Sequence, residues 1–94
     1  MAKITGKTKS GYAFEYDDRI LTDWEFVNAL ALTQSGSDMQ KMAASINAIE
    51  LLVGKDNMAS LVSHVKSTND GYAPIEKIVA EFTEILSAKT NAKN

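Results

Sequence analysis

Near the start of the chain apolar and polar positions alternate with period two; from about residue 23 onward they recur at helical spacing. Lys3-Ile4-Thr5-Gly6-Lys7-Thr8 and Tyr12-Ala13-Phe14-Glu15-Tyr16 flank Lys9-Ser10-Gly11, where glycine suits a tight turn, and predict a β-hairpin over about residues 3–16. Tyr12, Phe14 and Tyr16 point to one face. An isolated hairpin is marginal in water, so that aromatic side must lie against helices or another chain.

Four helices follow, at about residues 23–34, 38–53, 57–67 and 74–87. Thr22 or Asp23 can cap the first, with Glu25 three residues after Thr22 as in a capping box. Trp24, Phe26, Val27, Leu30 and Ala31 share a broad apolar band there, with Leu32 well away from it. That band sets Trp24, the sole tryptophan, as a core anchor. Ser35-Gly36-Ser37 ends the helix.

Asp38 is the expected cap of the second helix, in which Met39, Met42, Ala43, Ile46, Ile49 and Val53 form the main stripe and Ala44, Ala48 and Leu51 a second side. With so little polar surface, it is a central helix or one that offers a face to a partner. Glu50 falls within the stripe and is expected at the edge of the core, reaching water. Asp56 or Asn57 starts the third helix, with Met58, Leu61, Val62 and Val65 as a single core stripe. Pro74 fits the first position of the fourth, whose stripe is Ile75, Ile78, Val79, Phe82, Ile85 and Leu86. Residues 87–94 lack an apolar anchor and read as a frayed tail. The prediction is an α+β, mostly α domain over residues 1–86: an N-terminal hairpin packed on a bundle of about four helices.

Composition narrows the function. The chain has 94 residues, 45% of them hydrophobic, and no cysteine, so a small core must be sufficient or be helped by self-association. A net charge of −2 gives no general basic footprint and makes nucleic acid an unlikely partner. No apolar run reaches signal-peptide or membrane-span length, which sets the expectation of a cytoplasmic protein without a membrane partner.

Candidate chemistry is sparse. His64, the sole histidine, sits on the flank of the third stripe with no hydrolase motif around it, and one histidine without cysteine makes a zinc site improbable. Asp17-Asp18 and Asp23-Glu25 lack the spacing of a calcium loop and read as a strand end and a helix cap. The glycines stand singly and form no phosphate loop. Lys3, Lys7 and Lys9 beside the hairpin aromatics suggest a nucleic-acid platform, but Glu15, Asp17 and Asp18 oppose phosphate, and lysines commonly protect strand edges. The third helix offers only His64 and Lys66 as phosphate contacts, too few for a recognition helix. No enzyme, cofactor or metal is expected.

The opening Lys3–Gly11 hairpin, Ile20-Leu21-Thr22-Asp23-Trp24-Glu25-Phe26-Val27, Ile46-Asn47-Ala48-Ile49-Glu50-Leu51-Leu52-Val53-Gly54 and Gly71-Tyr72-Ala73-Pro74, in that order, resemble the small tail assembly chaperones of long-tailed phages and prophages of Gram-positive bacteria. The resemblance implies a non-enzymatic protein of the host bacterial cytoplasm that keeps the long hydrophobic tape measure protein soluble while tail tube subunits assemble. It also implies self-association, the major tail protein as a further partner, and a longer frameshifted form that would begin in residues 87–94. The alternative is a small prophage DNA-binding regulator.

Surplus apolar positions on the first two helices make Phe26, Leu32, Leu51, Met39 and Met42 the candidate partner-binding residues. Methionine is unbranched and polarizable, which suits an adaptable groove for an amphipathic helix.

Overall fold

The computed structural model describes residues 3–91. Two antiparallel strands, β1 (Lys3–Lys7) and β2 (Ala13–Asp17), lead through a 3-10 turn at Asp18–Thr22 to four helices, α1 (Trp24–Leu32), α2 (Asp38–Val53), α3 (Lys55–Ser67) and α4 (Ile75–Asn91). This is the predicted α+β, mostly α architecture.

The strands pair in the register Ile4 opposite Tyr16 and Gly6 opposite Phe14. At the turn the Thr8 amide donates to the Tyr12 carbonyl at 2.9 Å, and the buried Thr8 hydroxyl accepts from the Tyr12 amide at 3.1 Å. Gly11 closes it at φ 97°, a conformation costly to residues with a Cβ. The aromatic side is covered by helices. Tyr12 Oη donates to the carbonyl of Asn57 at the start of α3, and Tyr16 Oη to that of Ile85 in α4.

The helix ends show which cap prevails where several compete. Asp23 caps α1, its carboxylate accepting from the Glu25 amide at 3.1 Å. The Thr22–Glu25 capping box does not form, because Thr22 belongs to the preceding 3-10 turn and its hydroxyl donates to the Arg19 carbonyl. At α2 the cap is Ser37 instead of Asp38: Ser37 Oγ accepts from the Gln40 amide and Gln40 Oε1 accepts from the Ser37 amide at 2.8 Å, a complete capping box. Gly54, at φ 90°, passes the chain directly from α2 to α3, so α3 starts two residues earlier than expected. The expected end of α4 at residue 87 is also corrected. The helix runs to Asn91, and Ala88 packs against the core. Residues 92–94 of the expected tail lie outside the described residues.

Phe26, Ile49, Leu52, Leu61 and Ile85 are the largest fully buried side chains. Helices α3 and α4 bury the stripes predicted for them: Met58, Leu61 and Val65, and Ile78, Phe82 and Ile85. Helix α1 is rotated from the expected orientation, and on α2 the expected stripe is buried only at its C-terminal end, at Ile49 and Val53. On α1, Phe26 and Ala29 are buried and Leu30 half-buried, while Trp24, Val27 and Ala31 face out. All four buried positions of α2 fall between Ala48 and Val53, leaving Met39, Ala43 and Ile46 of the expected stripe exposed. Glu50 is half-buried at the core edge, as predicted.

Candidate functional site

Among the described residues six large apolar side chains are exposed, and five stand on α1 and the first three turns of α2: Trp24 (75% exposed), Val27 (47%), Leu32 (49%), Met39 (74%) and Ile46 (43%). The sixth, Tyr72, precedes α4. At 100° per residue, once Phe26 and Ala29 point inward, Trp24 and Ala31 must point outward with Val27 and Leu32 on the two flanks. On α2, Met39, Ala43 and Ile46 share one side of the helix ahead of the buried positions that begin at Ala48. This face is nearly free of charge: Phe26 through Ser37 contains no charged residue, and Asp38 and Lys41 are the only ones from there to Ile49.

Between the two helices runs an open groove of about 490 Å³, lined by Leu32, Gly36, Gln40, Ala43, Ala44 and Asn47 among others. Its end is held by the capping box. The Gln40 side chain folds back over Gly36, at φ 87°, where an added Cβ would collide with Gln40 Oε1. The backbone there favours glycine, and a Cβ would press the Gln40 amide out of its capping-box position.

The predicted partner-binding residues are divided by this geometry. Leu32 and Met39 lie on the exposed face, and Met42 is half-buried beside it. Phe26 is corrected: at 1% exposure it belongs to the core and is unavailable to a partner. Leu51 is half-buried against the core and lines a different depression, with Tyr16, Ile20 and Asn57. Trp24, expected as the core anchor, is instead 75% exposed, the most of any large apolar residue among those described. Phe26 and Trp24 exchange roles because α1 is apolar on both sides, and the wheel alone does not choose between them.

A second arrangement joins the hairpin turn to α3 and α4. Ser10 Oγ donates to Glu81 Oε2 at 2.9 Å and lies 2.9 Å from His64 Nε2, while the Lys9 amide donates to Glu84 Oε1 at 2.8 Å. A hydroxyl has one hydrogen, and with Glu81 accepting it, His64 Nε2 must be the donor. His64 is therefore not placed to take a proton from Ser10, and the network fastens the turn. Glu81 is 7% exposed and its Oε1 has no hydrogen-bond partner. Its burial was readable from spacing, since it stands three positions after Ile78 and four before Ile85, within the α4 stripe. Its partner Ser10, 71 positions away, was not.

The acidic residues before α1 serve the backbone. Asp17 Oδ1 accepts from the Arg19 amide, and its carboxylate pairs with the Arg19 guanidinium at 2.8 Å, which holds the Asp17 carboxyl below its usual range. Lys3 pairs with Glu15 across the hairpin at 2.9 Å. Among the described residues no group of three or more histidines and carboxylates is placed to hold a metal ion, and no helix is long and apolar enough to cross a membrane.

Comparison with protein-family models, curated proteins and solved structures finds no match for this chain.

Proposed function

We propose that this chain is a non-enzymatic protein-binding module acting as a phage or prophage tail assembly chaperone, holding the tape measure protein soluble while tail tube subunits assemble around it. The observation that carries this reading is the apolar, sparsely charged face of α1 and the first three turns of α2. Exposed apolar surface of this extent marks an interaction site. The resemblance of the hairpin, the lead-in to α1 and the second half of α2 to such chaperones supplies the identity of the partner.

The test is co-expression with the tape measure protein of the same prophage. The soluble yield of that protein should rise several-fold with this chain present. Leu32→Asp or Met39→Asp should remove the gain while leaving the far-ultraviolet circular dichroism unchanged. An equal yield without the chain, or retention of a specific DNA fragment by the chain at physiological salt, would replace this reading with that of a DNA-binding regulator.

A further inference from the structure

We infer that the free edge of β1 takes up an extended segment of a partner protein as a third, antiparallel strand, in the groove between β1 and α4. The segment presents carboxylates on its outer side and apolar side chains on its inner side. This interface is separate from the α1–α2 face and stands or falls without it.

Backbone hydrogen bonds specify an extended occupant. The Thr8 amide donates to the Tyr12 carbonyl, so Thr8 and Tyr12 form a hydrogen-bonded pair, and such pairs alternate with non-bonded ones along an antiparallel ladder. The register then makes Gly6–Phe14 and Ile4–Tyr16 bonded pairs and leaves Thr5–Glu15 and Lys7–Ala13 non-bonded. The N–H and C=O groups of Thr5 and Lys7 therefore point away from β2, and among the described residues nothing is hydrogen-bonded to them. Both residues are exposed, and both line an open groove of about 470 Å³ whose far wall is Glu84, Ser87 and Ala88 of α4. A helix arrives with its backbone already paired and leaves this edge unmet, whereas a strand completes it.

Gly6 sets the inner side of the incoming strand. It alternates with Ile4 toward the aromatic face, yet Ile4 is buried and Gly6 exposed, because glycine has no side chain to fill the space before α4. The Phe14 ring lies against Gly6 and lines the same groove with Ala88. A residue opposite Gly6 places its side chain over that ring, as a cross-strand neighbour covers an edge glycine. That side chain is apolar, since Phe14 and Ala88 offer it no polar partner and Glu84 on the same side repels a carboxylate.

Charge sets the outer side. Lys3, Thr5 and Lys7 share the outer face of β1; Lys3 is paired with Glu15, while Lys7 and Lys9 enter no ion pair among the described residues. A carboxylate directly opposite Lys7 makes a favourable cross-strand pair. Lysines deter indiscriminate pairing of an open edge, and here they restrict it to an acidic strand. They also oppose a symmetric second copy, because antiparallel pairing of two β1 edges about Thr5 sets Lys3 against Lys7 at both ends.

The test is an NMR titration of the isotope-labelled full chain with a synthetic peptide of about seven residues that alternates glutamate and valine. The Thr5 and Lys7 amides should exchange rapidly in the free chain and slow by about tenfold or more at saturation. Lys7→Glu should weaken binding about tenfold and should favour the peptide in which lysine replaces glutamate. Thr5→Pro removes one outward N–H at an edge position that tolerates proline, and should weaken binding by a similar factor. Should that variant not fold, Lys7→Glu with the two peptides decides. Tyr72→Ser should bind as the parent does. Absence of binding, binding that leaves the Thr5 and Lys7 amides in fast exchange, equal binding of a peptide N-methylated at its glutamates, or indifference of Lys7→Glu to the peptide's charge overturns the proposal. So does protection of the same amides that grows with chain concentration alone, which would give the edge to a second copy.

Discussion

Trp24 and Phe26 stand two positions apart on α1 and face opposite ways, the indole 75% exposed and the phenyl ring 1%. Two helical steps turn the side chain by about 200°, so these neighbours cannot share a face.

Phe26→Ala should therefore cost roughly 3 to 5 kcal/mol, a large part of the stability of so small a domain. Trp24→Ala should stay within about 0.5 kcal/mol, as expected of a surface substitution. Urea denaturation followed by circular dichroism compares the two. Equal losses would mean that the indole packs as tightly as the phenyl ring.

A Cβ built on Gly6 would lie 2.7 Å from Phe14 Cζ, its cross-strand partner. Gly6 has ordinary backbone angles, so the conflict is steric and involves a ring that is itself buried. Gly6→Ala should lower stability by about 1 to 3 kcal/mol through overpacking. In a double-mutant cycle with Phe14→Leu, a negative coupling would show that the shorter side chain relieves the clash; strict additivity would locate the cost elsewhere.

Ser10 supplies the hydrogen bond to Glu81 Oε2, while Oε1 has none. Ser10→Ala should cost about 1 to 3 kcal/mol, because it leaves a buried carboxylate less satisfied. Glu81→Met, which removes the buried polar group and keeps much of its volume, should be close to neutral or stabilising. A large loss in Glu81→Met, measured by thermal unfolding, would make the network a net source of stability.

Burial raises the hydroxyl pKa of both Tyr12 and Tyr16 above the usual tyrosine value. With the folded value above the unfolded one, the contribution is complete below the unfolded pKa and declines as pH rises through the folded pKa. Stability should fall from about pH 10 upward. Tyr16→Phe should flatten that decline at some cost in stability at neutral pH, and denaturation midpoints between pH 8 and pH 11 measure both effects. An alkaline slope unchanged in the Tyr12→Phe, Tyr16→Phe double variant would assign the loss to other groups.

The parts of the fold legible in sequence are those where polar residues leave one orientation available. Met58, Leu61 and Val65 on α3, and Ile78, Phe82 and Ile85 on α4, are opposed by charged faces, and the predicted stripes are the buried ones. On α1, Trp24-Val27-Ala31 and Phe26-Ala29-Leu30 are both apolar at helical spacing, and only the rest of the domain selects the second. The surplus of apolar surface was thus readable, together with Leu32 and Met39, while Trp24 and Phe26 were assigned each other's place. The groove between Leu32 and Ala43 depends on how α1 lies against α2, and nothing local to either helix encodes it. Ser37 and Asp38 are both good caps, and Gln40 three residues after Ser37 settles the choice.

The fastening of the hairpin turn to α4 has a consequence for the order in which the chain acquires its structure on the ribosome. Ser10 reaches Glu81, Lys9 reaches Glu84 and Tyr16 reaches the Ile85 carbonyl, spans of 69 to 75 positions. The hairpin precedes the helices, yet the cover of its aromatic side, begun by α2 and α3, is incomplete until α4 has emerged. A loop of that length must close before those contacts contribute, so docking of the hairpin belongs to a late stage of folding. Until then Tyr16 lacks its α4 partner on the nascent chain, and the lysines along β1 oppose pairing of that strand with its neighbours.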